Sequence, residues 1–138
     1  MVIKESKILK EELAIITIDH IKDENDIEIM LRGGFEFCNT NDLKNLLYIG
    51  CNQCNDVMKE PFKQYQLGEL IEEIFKLSNI QIAVLSTCNH FSRFTETVAL
   101  NRGISFISSD NPQKIEKWLD LDFKIFDSNS DDFSLATI

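Results

Sequence analysis

The sequence predicts an α/β domain: a mostly parallel sheet with an N-terminal antiparallel hairpin and about four helices. Three observations carry this reading. Short β-branched runs such as "LAIITI" and "IQIAVLS" alternate with segments of helical apolar spacing, the pattern of parallel strands joined by crossover helices. The runs "LLYI" and "IQIAVLS" are apolar at nearly every position, as strands covered on both faces are. A chain of 138 residues with 43% hydrophobic and 27% charged residues is also long and apolar enough for one domain to bury its own core.

Each element follows from local signals. In "KILKEELAIITID", Ile8 and Leu9 close a first strand, "KEE" makes the turn and Leu13–Ile18 form the second strand. Asp23 caps a helix whose first turn is acidic and whose Ile27, Met30 and Leu31 share one face; Gly33 and Gly34 are expected to loosen or end it. Residues 46–49 read as the next strand. Pro61 opens a second helix with Phe62, Tyr65, Leu70, Ile71, Ile74, Phe75 and Leu77 at its apolar positions. Residues 80–86 form a central strand. Phe91, Phe94 and Val98 are spaced for a third helix that Gly103 stops, and "ISFIS" is a further strand. Asn111 then caps a helix with Pro112 at its first position, expected to bury Ile115, Trp118 and Leu119. The order is β-β-α-β-α-β-α-β-α, a domain over 1–120. Residues 121–138, acidic and Ser-rich with three phenylalanines, read as a C-terminal tail or an edge extension through "FKIF".

Charge narrows the function classes. The net charge is −9 and the basic residues stand singly, which argues against nucleic-acid and anionic-membrane partners, whose phosphates demand clustered Lys and Arg. No apolar run approaches the roughly 20 residues that cross a bilayer, and the N-terminus lacks the basic-then-apolar pattern of a signal peptide. The expectation is a soluble, cytoplasmic protein, in which four cysteines imply no disulfide framework.

The element order, together with "IEIM", "LGELIEEIF", "IQIAVLS", "HFSRFTE", "LNRG" and the closing "QKIEKWL", resembles a family of small bacterial STAS-like proteins, relatives of the anti-sigma-factor antagonists. The resemblance spans residues 8–119 in short pieces. It implies a non-enzymatic regulatory domain that docks on a protein partner, with a homodimer as an alternative. The candidate partner-binding residues are Tyr65, Gln66 and Glu69 on the second helix and Arg93 at the start of the third. In the antagonists a Ser or Thr opening the second helix is switched by phosphorylation, where a phosphate gains from the helix dipole. Residues 51–77 contain no Ser or Thr, so that switch is not expected here.

Loops leaving the carboxyl edge of such a sheet are where ligands bind. His20, Cys51 and Cys54, and Cys88 and His90 follow successive strands and would share that rim. Cys51, Cys54, Cys88 and His90 form a Cys₃His set for tetrahedral zinc, although the Cys-x-His half is tighter than usual. A redox pair at Cys51 and Cys54 would need a helix opening directly on it to stabilise the thiolate, and "NDVMKE" intervenes before Pro61. The favoured reading makes the pair turn residues, with no metal and no cofactor; a zinc or thiol sensor is the alternative. Cys38 lies toward the opposite edge. Neither Cys51 nor Cys88 has a Gly-rich turn beside it for an oxyanion hole, so nucleophilic catalysis is not expected. Glu72, Glu73, Arg93 and Arg102 read as solvated charges.

Overall fold

A computed structural model describes residues 2–50, 60–87, 91 and 93–126. Its elements are β1 (Ile3–Leu9), β2 (Leu13–Ile18), α1 (Glu24–Asn41), β3 (Asn45–Ile49), α2 (Pro61–Phe75), β4 (Gln81–Leu85), α3 (Arg93–Asn101), β5 (Phe106–Ser109) and α4 (Pro112–Leu119). The strands form one sheet in the order β1-β2-β3-β4-β5. β1 runs antiparallel to β2, and the remaining neighbours are parallel. This is the expected mixed α/β sheet with four helices. The interior strands align Ile15 with Leu47 and Leu47 with Ala83, and Ile16 with Tyr48 and Tyr48 with Val84, so each row of side chains crosses the sheet on one face.

Two cores result. On one face Ala14, Ile16, Leu46, Tyr48, Ile82, Val84 and Phe106 meet Ile27, Leu31, Leu67, Ile71, Phe75 and Ala99 of α1, α2 and α3. On the other, Leu13, Ile15, Leu47, Ala83, Leu85 and Ile107 meet Ile115 and Leu119 of α4 together with Ile125 and Phe126. Burial on both faces accounts for the unbroken apolar runs in β3 and β4. The 121–126 segment is docked: Ile125 and Phe126 are fully buried, and one Glu116 carboxylate oxygen accepts hydrogen bonds from their backbone N–H groups at 2.9 and 3.0 Å. Residues 127–138 lie outside the described residues.

Helix caps fall where the sequence put them. The Asp23 side chain accepts from the Asp26 N–H, and the Asn111 side chain accepts from those of Gln113 and Lys114, each satisfying first-turn donors that have no partner within the helix. Gly103, at φ +82°, follows the end of α3.

The expectation that Gly33 and Gly34 end the first helix is overturned: α1 continues through them to Asn41. The reason is a side chain 14 residues on. Tyr48 is wholly buried beneath α1 and donates its hydroxyl hydrogen to the Leu31 carbonyl at 3.1 Å. A Cβ on Gly34 would collide with that hydroxyl and lie 2.6 Å from Cζ and 2.9 Å from Cε1. Gly34 is therefore a close-approach position, and the helix tolerates its propensity cost because the ring fills the gap.

The apolar stripe of α2 also differs from expectation. Ile71, Ile74 and Phe75 are buried as predicted, but Phe62, Tyr65 and Leu77 are exposed, and Gln64, Leu67 and Gly68 take their places. On α3, Phe94 is exposed while Thr95 and Ala99 face inward. Trp118 is only partly buried and packs against the rim of the second core beside Leu121 and Phe123.

Two stability predictions follow from this packing. Gly34→Ala should cost about 1–3 kcal/mol, the usual range for overpacking a rigid core, and less than that in a Tyr48→Phe background; urea melts of the two single variants and the double variant measure the coupling. At the hairpin turn, Lys10 and Glu11 both have positive φ (55° and 63°) and the Glu12 N–H bonds to the Leu9 carbonyl at 3.1 Å. Replacing the strained residue, Glu11→Gly, should raise stability by about 1 kcal/mol, read as a higher midpoint in the same melts.

Candidate functional site

α2 and α3 follow adjacent parallel strands and run side by side, and their contact is closed at three levels. Gly68 lets the helices approach: a Cβ there would lie 2.5 Å from Val98 Cγ1. Beneath this point Thr95, fully buried, donates its hydroxyl hydrogen to the Gln64 side-chain oxygen and lies 3.2 Å from the Gln64 carbonyl. A buried polar pair of this kind is stable only when both members are satisfied.

The third level is Arg102, directly past α3. Its guanidinium lies 3.0 Å from a Glu72 carboxylate oxygen and 3.6 Å from Glu69, donates to the Tyr65 hydroxyl at 2.9 Å, and has its carbon 5.6 Å from the Tyr65 ring centroid. Partial desolvation works against the Arg102 charge, but the hydrogen bond to Glu72 and the neighbouring Tyr65 and Glu69 outweigh it and raise its pKa. The cation is locked in place between the helices.

Of the candidate partner residues, the structure brings Tyr65 and Glu69 together, both through Arg102. It does not bring Gln66 or Arg93 to them. Gln66 lies on the opposite flank of α2, facing α1 in a groove with Glu24, Ile27 and Glu28. Arg93 opens α3 and is exposed, and its carbonyl accepts from the Thr97 hydroxyl at 3.0 Å. Glu72 and Arg102, read from sequence as solvated charges, are instead partners of one another. The signal was present in the spacing: Tyr65, Glu69 and Glu72 form an i, i+4, i+7 row, and Phe94, Val98 and Arg102 an i, i+4, i+8 row. Only the parallel adjacency of the two helices says that these rows meet. Gln64 and Thr95 carried no such signal.

The same two helices carry exposed aromatics, Phe62 and Tyr65 on α2 and Phe94 on α3. They are 68%, 38% and 45% exposed, respectively.

Both edges of the sheet are guarded. The exposed β1 carries Lys4 and Lys7, charges that discourage strand pairing. At β5 the Ser108 N–H is taken by the Glu96 carboxylate at 2.6 Å.

At the carboxyl edge the described residues stop short of the candidate ligands. Cys51, Cys54, Cys88 and His90 lie outside the described residues, as does the turn expected around the first two. The chain enters those segments side by side: the Gly50 N–H bonds to the Leu85 carbonyl at 2.7 Å, and the Gly50 α-carbon packs against Ser86. Among the described residues no group of three or more His, Cys, Asp and Glu side chains is placed to hold a metal ion, and no helix is long and apolar enough to cross a membrane. Cys38, on the inner face of α1, is fully buried, and burial pushes its thiol pKa up to about 12, with Lys44 opposing. It is a packing residue and not a nucleophile. Burial likewise holds the Tyr48 phenol well above its ordinary value, with Cys38 adding to the shift.

Comparisons of the chain with protein-family models, with characterised proteins and with solved structures found no match.

Two measurements check this site. Thr95→Val keeps the shape but removes the buried hydroxyl's hydrogen bond to Gln64, and should destabilise the fold by about 1–3 kcal/mol. For Cys38, the folded pKa is raised from 9.0 to about 12, so the folded state holds its proton more tightly than the unfolded chain. The stability this contributes is complete below pH 9 and is lost as the pH rises from 9 toward 12. A Cys38→Ala variant should show a shallower alkaline loss of stability than the parent, and peptide mapping after alkylation at pH 7.5 should find Cys38 unlabelled in the native protein.

Proposed function

We propose that this chain is a cytoplasmic, non-enzymatic regulatory domain of STAS-like design. It lacks a Ser/Thr phospho-switch on its second helix and docks a protein partner on the outer face of α2 and α3. The observation that carries this reading is the exposure of Phe62, Tyr65 and Phe94 on two helices that Gly68, Thr95 and Arg102 hold rigidly together. Large aromatics and Arg dominate the energetic centres of protein interfaces, because they bury much area with little entropy to lose. The lysines on β1 and the carboxylate on the Ser108 N–H disfavour strand addition at the sheet edges, which supports the same choice. The β-β-α-β-α-β-α-β-α order with an antiparallel first strand agrees with what the resemblance implies. Of the four candidate residues, Tyr65 and Glu69 belong to this face.

The test is site-specific photo-crosslinking in the native host. A crosslinking amino acid at position 62 or 94 should give one discrete adduct that the same group at Leu77, exposed beyond the far end of α2, does not give. Phe62→Ala combined with Phe94→Ala should abolish the adduct formed from a group at Tyr65 while leaving the melting temperature within about 3 °C of the parent, as surface changes do. Identical adducts from position 77 would refute the assignment.

A second reading has one observation in its favour. Gly50, which precedes Cys51 in the sequence, abuts Ser86, two residues before Cys88, as a zinc or thiol sensor built on Cys51, Cys54, Cys88 and His90 would require. Stoichiometric zinc in protein purified without chelator, together with a lower melting temperature in EDTA, would establish it. Metal-free protein with an unchanged melt would exclude the zinc form.

A further inference from the structure

On the flank of α2 away from Tyr65, α1 and α2 enclose an open groove of about 470 Å³ lined by Glu24, Asn25, Ile27, Glu28, Gln66, Leu67 and Leu70. Its construction is asymmetric. Toward the carboxyl ends of the two helices the gap is filled by Phe35 and Phe75, whose rings meet edge to face at 5.6 Å. Toward their amino ends no aromatic among the described residues lines it, and the floor the helices form is the aliphatic Ile27, Leu67 and the partly exposed Leu70.

The rim is acidic. Lys63 bridges to Glu24 at 2.6 Å and is raised in pKa first by that hydrogen bond, with Glu60 adding to it. Arg32 bonds Glu28 at 2.9 Å and feels Glu73 and Glu36 as well. Of these carboxylates Glu24 and Glu28 line the groove, each paired with one cation. Glu36, Glu60 and Glu73 lie beyond the lining but act on the same two cations, so the surroundings of the groove carry five carboxylates against two cations. The amino end of α1 offers no anion site, because Asp23 and Asp26 already accept from the Asp26 and Lys22 N–H groups.

An apolar floor beneath an acidic rim, on a chain of net charge −9, selects a cationic occupant and repels a second copy of the chain. We propose that the α1–α2 groove binds a basic segment of a partner protein, in which an aliphatic side chain seats on Ile27, Leu67 and Leu70 while a flanking Arg or Lys meets Glu24 and Glu28. Gln66 supplies a neutral amide at the lip that can bond the segment's backbone. The groove is separate from the aromatic face of α2 and α3, so this inference holds or fails independently of the function proposed above.

The probe is an acetylated, amidated heptapeptide alternating leucine with arginine, titrated into the full-length protein and followed by amide chemical shifts. Two further peptides serve as controls: one with glutamate replacing arginine, and one with serine replacing leucine. The expected result is saturable shifts at Ile27, Glu28, Gln66 and Leu70, absent with the glutamate peptide and at least about tenfold weaker with the serine peptide, as an apolar anchor requires. Affinity should fall about tenfold between low salt and 0.5 M salt, because rim charges are screened. Glu24→Lys with Glu28→Lys should weaken binding at least about tenfold, and the gentler Glu24→Gln with Glu28→Gln, which cannot disturb folding by repelling Lys63, should weaken it in the same direction. Three results would overturn the proposal: no saturable shift, equal binding of the serine peptide, or shifts confined to Phe62, Tyr65 and Phe94.

Discussion

Tyr48 lies at the centre of the sheet with its ring under α1, and most of the packing on that face is arranged around it. A phenol is too tall to fit beneath an ordinary helix, so α1 passes over it at a glycine, and the hydroxyl, which burial would leave costly without a partner, finds the Leu31 carbonyl. That contact, with the close approach of Gly33 to Ile3 of β1, helps set the height and rotation of α1. With α1 fixed, Phe35 is delivered to the edge of Phe75, which positions α2, and α2 in turn holds α3 through Gly68, Gln64 and Thr95. The three helices on this face are linked in sequence, each positioned by its predecessor, and the first is positioned by a strand residue.

The opposite face is simpler. α4 lies over β4 and β5, and the segment after it completes the cover with Ile125 and Phe126. Glu116 does what a partner strand would otherwise do, accepting from two successive backbone donors. Glu96 plays the same part at Ser108 on β5. Carboxylates so placed satisfy donors that would otherwise be left open at the margin of the sheet.

α2 is consequently a helix with three uses. Its inner stripe is core, one flank is clamped to α3 by Arg102, and the other faces α1 across a groove. The two flanks differ in chemistry because their neighbours do: the α3 side carries exposed aromatics around a fully engaged guanidinium, and the α1 side carries aliphatics under an excess of carboxylates. Binding at one flank does not require displacement of the other, since the buried Gln64–Thr95 pair and the Phe35–Phe75 contact hold both neighbours in place.

What the sequence by itself determined is the element order, the hairpin, the caps at Asp23 and Asn111, the interior position of β3 and β4, and the helical register of Ile27, Met30 and Leu31. These rest on local chemistry and on periodicity, which act within a few residues and can be read in a single chain. Tyr65 and Glu69 were legible as surface residues of the second helix for the same reason. What only the tertiary structure decided involves residues distant in the chain. Gly34 reads as a helix breaker until Tyr48 is placed against it. Arg102 and Glu72 read as solvated charges until two helices are set side by side. Gln64 and Thr95 look like surface polar residues until each becomes the other's hydrogen-bond partner, and Trp118 looks like core until the narrow reach of α4 leaves it at the rim. Local propensity cannot anticipate such pairings, because the free energy that fixes them is earned only when both partners arrive.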